Sequence, residues 1–186
     1  MIQQGLSDSM KKIHERKWDM VPMCVKTLVV TNPPHPSVLM LCPVEDYGEK
    51  RSCRVVPIWI GPAEARQLGA ALEEARFNRP MTHDLFLDAI TNLDASVDHA
   101  EIVDQKGITF FAKLYLSQGS RMIALDARPS DAVSLAIREG ANVLMSEDVL
   151  GRASFPYIVK NEEDDEAEIE EFHSFIEGLT PDDFVQ

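Results

Sequence analysis

The sequence predicts a single α+β domain, built from mixed or antiparallel strands with three main helices. Two observations carry that expectation. Short β-branched and aromatic runs fall into two groups, and segments of helical periodicity follow each group without the regular alternation of a doubly wound sheet. With 186 residues, 45% of them apolar and 26% charged, the chain has enough for one buried core. No apolar run is long enough to span a bilayer, so no membrane segment is expected.

Residues 1–22 read as a polar leader of mixed charge, with Met20 or Met23 as alternative starts. The leader lacks the apolar centre of a secretory signal, which points to a cytoplasmic location. Residues 23–31 are apolar and β-branched and predict the first strand; Asn32-Pro33-Pro34-His35-Pro36 ends it, because proline fixes its own φ and donates no N–H. Residues 37–44 and 53–60 follow as strands around the polar turn 45–52, giving an antiparallel meander. Gly61-Pro62 opens the first helix, with Pro62 where a missing N–H costs nothing, and Ala65, Leu68, Leu72 and Ala75 recur at helical spacing. Arg79-Pro80 closes that segment. Thr82 is the expected N-cap of a second helix, with Asp84 in its first turn and Leu85, Phe86, Ala89, Ile90 and Leu93 as its buried stripe.

The second strand group comprises residues 95–104, 107–116 and 121–126, joined by turns at Gln105-Lys106-Gly107 and at 117–120. The third helix begins at Pro129 and stops at Gly140, which suits the left-handed position after a helix; Ala132, Val133, Ala136 and Ile137 give it an apolar face. Residues 142–145 form a short buried strand and 147–150 one helical turn. The domain is therefore placed at 23–159, followed by an acidic C-terminal tail over 160–186 in which 167–177 has the pattern of a short amphipathic helix.

Charge is concentrated in that tail. Of the net −13, residues 160–186 contribute −10 from eleven acids and one base, and residues 1–159 contribute −3 from 20 acids and 17 bases. A polyanion binder ordinarily carries a basic surplus, so any contact with nucleic acid must rest on a local group of cations. The tail itself reads as a solubilising segment, with a charge mimic competing for such a group as the alternative. Cys24, Cys42 and Cys53 are odd in number and lack C-x-x-C spacing, and the five histidines are scattered; both facts argue against structural zinc.

Three segments taken together resemble the bifunctional nuclease (BFN) domain family, in its bacterial form. They are Val56-Pro57-Ile58-Trp59-Ile60-Gly61-Pro62-Ala63-Glu64-Ala65, then Arg79-Pro80-Met81-Thr82-His83-Asp84-Leu85, and most specifically Asp126-Ala127-Arg128-Pro129-Ser130-Asp131-Ala132-Val133-Ser134-Leu135-Ala136, trailed by Ser146-Glu147-Asp148-Val149-Leu150. The similarity runs from about Met23 to Ile158, and Thr180-Pro181-Asp182-Asp183-Phe184 also resembles the tail of bacterial members. The resemblance implies hydrolysis of the phosphodiester bonds of DNA and RNA. That reaction needs a positioned water and stabilisation of charge on the phosphoryl oxygens, often supplied by clustered carboxylates and a hard divalent cation such as Mg or Mn.

Asp126, Asp131, Glu64 and Asp84 are the candidate ligands for such a cation. Arg128 is the candidate phosphate contact, Asp131 a candidate catalytic carboxylate, and His83 a candidate ligand or general base. All three helix starts join motif segments to buried elements, so they are expected to frame one polar pocket. Each residue also has a purely structural reading. Asp131, Glu64 and Asp84 stand where helix starts favour acids, Arg128 can pin a turn by pairing with Asp126 or Asp131, and a lone histidine beside an N-cap is commonly structural. The competing function is that of a non-catalytic, homo-oligomeric module recognising a protein or a small anion.

Overall fold

The computed structural model describes residues 20–32, 34–47, 52–75 and 77–158. The acidic tail with its expected helix, and the predicted leader up to residue 19, lie outside the described residues. The expected α+β domain is observed, among the described residues, as one mixed sheet of eight strands with four α-helices.

Strands β1 (Met20–Val29), β2 (Ser37–Pro43) and β3 (Ser52–Ile60) form the anticipated antiparallel meander. Strand β1 starts three residues inside the expected leader, because Met20 to Met23 pair with β7 (Asn142–Ser146). A second antiparallel meander comprises β4 (Ser96–Lys106), β5 (Thr109–Gln118) and β6 (Arg121–Ala127). Strand β7 stitches the two meanders together, running parallel to β4 and antiparallel to β1. A short β8 (Phe155–Ile158), which the sequence reading did not anticipate, pairs with β3 at the edge, where its Pro156 is tolerated. The strand order is β6-β5-β4-β7-β1-β2-β3-β8.

The helices are α1 (Pro62–Leu72), α2 (Thr82–Thr91), α3 (Pro129–Glu139) and α4 (Glu147–Ala153), the last longer than the single turn expected. Helix α3 packs against β4, β5, β7, α1 and α2. Its buried positions are mainly small: Ser130, Ala132, Val133, Ser134 and Ala136 allow close approach on several sides. Ile102, Leu114, Val133, Met145 and Leu150 form the fully buried centre of the core. Gly140 takes φ 65°, ending α3 in the left-handed conformation its sequence predicts.

Helix α2 departs in part from its predicted phase. Leu85 and Leu93 are 61% and 65% exposed, and the buried apolar positions are Leu87 and Ile90. His83, Leu87 and Ile90 lie at helical spacing on the inward face; of the expected stripe Ile90 is buried and Phe86 packs partly buried against the core, while Leu85, Ala89 and Leu93 face solvent. Its N-cap is Met81, one residue before the predicted Thr82.

Sheet curvature makes the site possible. Strands β3 and β6 are six places apart in the sheet, about 29 Å if it were flat. Yet Glu64, just after β3, and Arg128, which follows β6, are in contact at 2.6 Å. The sheet therefore curls until the ends of distant strands meet.

Candidate functional site

Three helices begin alike. Counting from the N-caps Gly61, Met81 and Arg128, the third helical residue is in each case an acid: Glu64, Asp84 or Asp131. An acid there can reach back to an unpaired backbone N–H and is favoured by the helix dipole. Asp84 does so, its Oδ2 accepting from the Met81 N–H at 2.8 Å. Asp131 is instead bonded to the side chain of its own N-cap residue.

Arg128 is the hub of the site. It donates from Nε to Asp131 Oδ2 at 2.7 Å, from Nη2 to Asp131 Oδ1 at 3.2 Å, and from Nη1 to Glu64 Oε1 at 2.6 Å. These bonds use three of the five N–H donors of a guanidinium and leave two. The side chain is 64% exposed, so the remaining donors can meet a ligand. Asp131, and then Glu64, hold its pKa above the ordinary arginine value. The Glu64 carboxyl is held below its ordinary value, first by its own backbone N–H and then by Arg128. Gly61 has a specific steric role, since a Cβ there would collide with Glu64 Oε2.

Behind Arg128 the network runs inward. His83 Nε2 lies 3.3 Å from Asp131 Oδ1, and His83 Nδ1 lies 3.4 Å from Ser134 Oγ. The composition is that of a carboxylate–histidine–serine relay, but Ser134 is fully buried and cannot reach a substrate. Ser134 instead orients the imidazole, which braces Asp131. Further along α3, Arg138 Nη1 donates to Asp84 Oδ1 at 2.6 Å and Nη2 to the Gln67 carbonyl at 3.5 Å. Asp131, Ser134 and Arg138 occupy one face of α3 and bind the start of α2 along its length. Ser134 and Arg138 were not singled out from sequence; their spacing from Asp131 was the available signal.

Arg128 and Glu64 line the rim of a cleft of about 510 Å³. Its walls include Ile58 and Trp59 of β3, and Ile108 and Phe110 at the β4–β5 turn. The starts of α1 and α3 thus border the cleft, and His83 and Asp84 stand behind it in the α3–α2 contact. Asp126, at the exposed end of β6, is paired in register with Lys113 and adds no link to the network.

The candidate metal ligands can be tested against this geometry. Glu64 and Asp131 share the Arg128 guanidinium, so a cation already stands between them. Both Asp84 oxygens are engaged, one by Arg138 and one by Met81. Among the described residues no group of three or more His, Cys, Asp or Glu side chains is placed to hold a metal ion. With these carboxylate oxygens committed to Arg128, Arg138 and a backbone N–H, the donor set does not fit a resident Mg or Mn.

The family model of the bifunctional nuclease domain matches residues 48–157, more than half of the chain. The chain belongs to the bifunctional nuclease domain family. Two uncharacterized proteins from strains of Mycobacterium tuberculosis are each 37% identical to it over 149 residues, covering 76% of this chain and 88% of the relative. The matched span of the bifunctional nuclease domain holds every residue of the Glu64–Arg128–Asp131–His83 network, and the two strands preceding it, β1 and β2, extend the same sheet. Among the described residues no helix is long and apolar enough to cross a membrane.

Proposed function

We propose that the domain hydrolyses phosphodiester bonds of DNA and RNA at the Arg128 cleft. The observation that carries this reading is Arg128 itself: a guanidinium fixed in direction by two carboxylates, with two donors left over, at the rim of a cleft beside the start of α3. A phosphate diester meeting those donors gains charge-assisted hydrogen bonds at little reorganisation cost, and the added charge of the transition state is stabilised at the same point. Glu64 is the carboxylate on the cleft side and is suited to orienting the attacking water. His83 has both nitrogens engaged and acts as a positioning residue for Asp131 rather than as the proton acceptor.

A second reading is favoured by that same engagement. With His83 fully bonded and Asp131 tied to Arg128, the site has the makings of an anion-binding module without turnover. The deciding experiment compares wild type, Arg128→Ala and Asp131→Asn, purified identically, on labelled DNA and RNA oligonucleotides with and without added Mg²⁺ or Mn²⁺. Arg128→Ala is expected to lose roughly 100-fold or more in rate, the scale of removing one transition-state donor. Equal degradation by wild type and Arg128→Ala refutes the nuclease reading. The metal arms report whether a divalent cation accompanies the substrate.

A further inference from the structure

We infer that the cleft beside Arg128 receives an unstacked base, so that the substrate is single-stranded nucleic acid read without base preference. This inference rests on the proposed phosphodiester chemistry and names its substrate class. The cleft has two unlike parts. At the rim stands the Arg128–Glu64 pair; the apolar and aromatic surface within comes from half-exposed Ile108 and partly exposed Trp59, with Ile58 and Phe110 lining the cleft almost buried, at 4% and 9% exposure. A nucleotide has the same division, an anionic phosphate joined through a sugar to a flat, largely apolar base.

The volume, about 510 Å³, is within the range of pockets that enclose single small ligands. In a duplex the base faces are covered by the neighbouring pairs, and only an unpaired or extruded base can offer its face to such walls. Charge agrees with this. The chain outside its acidic tail carries a net −3, without the basic surplus that tracks the backbone of a duplex. A single fixed arginine beside an apolar recess suits one phosphate and the base next to it.

The walls also indicate what is not read. Thr109 and Ser130 are the uncharged polar side chains of the lining, and most of the remaining surface is apolar. Stacking and apolar contact tolerate any base, because every base has a π-face.

The test uses one oligonucleotide sequence in three forms: single-stranded, duplex, and single-stranded with abasic sites. Cleavage and fluorescence-anisotropy binding are both measured, on wild type and on Ile108→Asp. Ile108 is 50% exposed at the β4–β5 turn, so this variant should fold, and thermal unfolding checks it. The intact single strand is expected to be bound and cleaved roughly tenfold better than either other form. Ile108→Asp should lose most of that advantage, so that the variant handles the intact and the abasic strand nearly alike. Equal handling of duplex and single strand, or indifference to the missing bases, overturns the inference. If no form is cleaved, the hydrolase reading fails but the binding arm still decides base capture. Absence of binding to any form overturns both.

Discussion

Removing the Asp84 carboxylate is a direct test of how the site is held. Asp84 does two things at once: it accepts from Arg138 at 2.6 Å and caps the Met81 N–H at 2.8 Å. The Arg138 side chain is 11% exposed and that of Asp84 30%. A fully buried pair broken on one side costs about 3–5 kcal/mol. With Asp84 partly open to water, about 2 kcal/mol is the appropriate share. The lost cap adds about 1 kcal/mol. Asp84→Ala should therefore destabilise by about 3 kcal/mol, lowering Tm by about 6–12 °C for a chain of this size. Arg138→Met leaves Asp84 hydrated and still capping, so it should cost less. Urea unfolding of both single variants and the double variant gives the coupling, expected at about 1 kcal/mol or more. Additive effects, or a loss below about 1 kcal/mol for Asp84→Ala, would refute the account of α2 being fastened to α3 by this pair.

Gly61→Ala should displace Glu64 and loosen Arg128, which nuclease or anion-binding assays should read as a loss larger than the change in melting temperature implies. Because the folded Glu64 pKa is lowered, its contribution to stability is complete above its ordinary value of 4.5 and is lost as pH falls below it. Arg128→Ala should flatten that acid limb in urea melts. Tyr115 has its pKa raised to about 12, by burial first and by its hydrogen bond to Glu101 next. Its contribution to stability is complete below the ordinary tyrosine value and fades as pH rises towards 12, so ultraviolet titration should show one phenol ionising late. With one phosphate contacted, affinity should fall only about threefold between 50 and 200 mM salt, a much shallower slope than that of a groove-binding protein. Truncation after Lys160 should leave the melting temperature within a few degrees of wild type, since the described core lies upstream.

The sequence made the helix starts legible because Pro62 and Pro129 mark first helical positions and Gly140 marks a stop, each through local backbone chemistry. The two meanders were legible for the same reason, their turns carrying glycine or proline. Pairing of β7 between β4 and β1 was not, because a five-residue strand has no local signal for its neighbours. Asp131, Glu64 and Arg128 could be chosen as candidates by type and position. The pairing of Arg128 with Asp131, three residues on, was legible as a way to pin the turn; that Arg128 would also take Glu64, and so stand between the two carboxylates, depended on sheet curvature, which no short window encodes. The phase of α2 was read only in part: Phe86 and Ile90 pack inward as expected, and His83, a polar residue, begins the inward face.

The 2.6 Å contact between Glu64 and Arg128 joins the ends of strands six places apart, and the sheet that holds those ends in place is complete once β7 has joined the two meanders. The residues it unites are 64 apart in sequence. A refolding chain with both meanders formed but β7 not yet inserted would show most of its strand signal and have no functional site. Recovery of function should then lag behind recovery of circular dichroism, and the length of that lag measures the insertion of one five-residue strand.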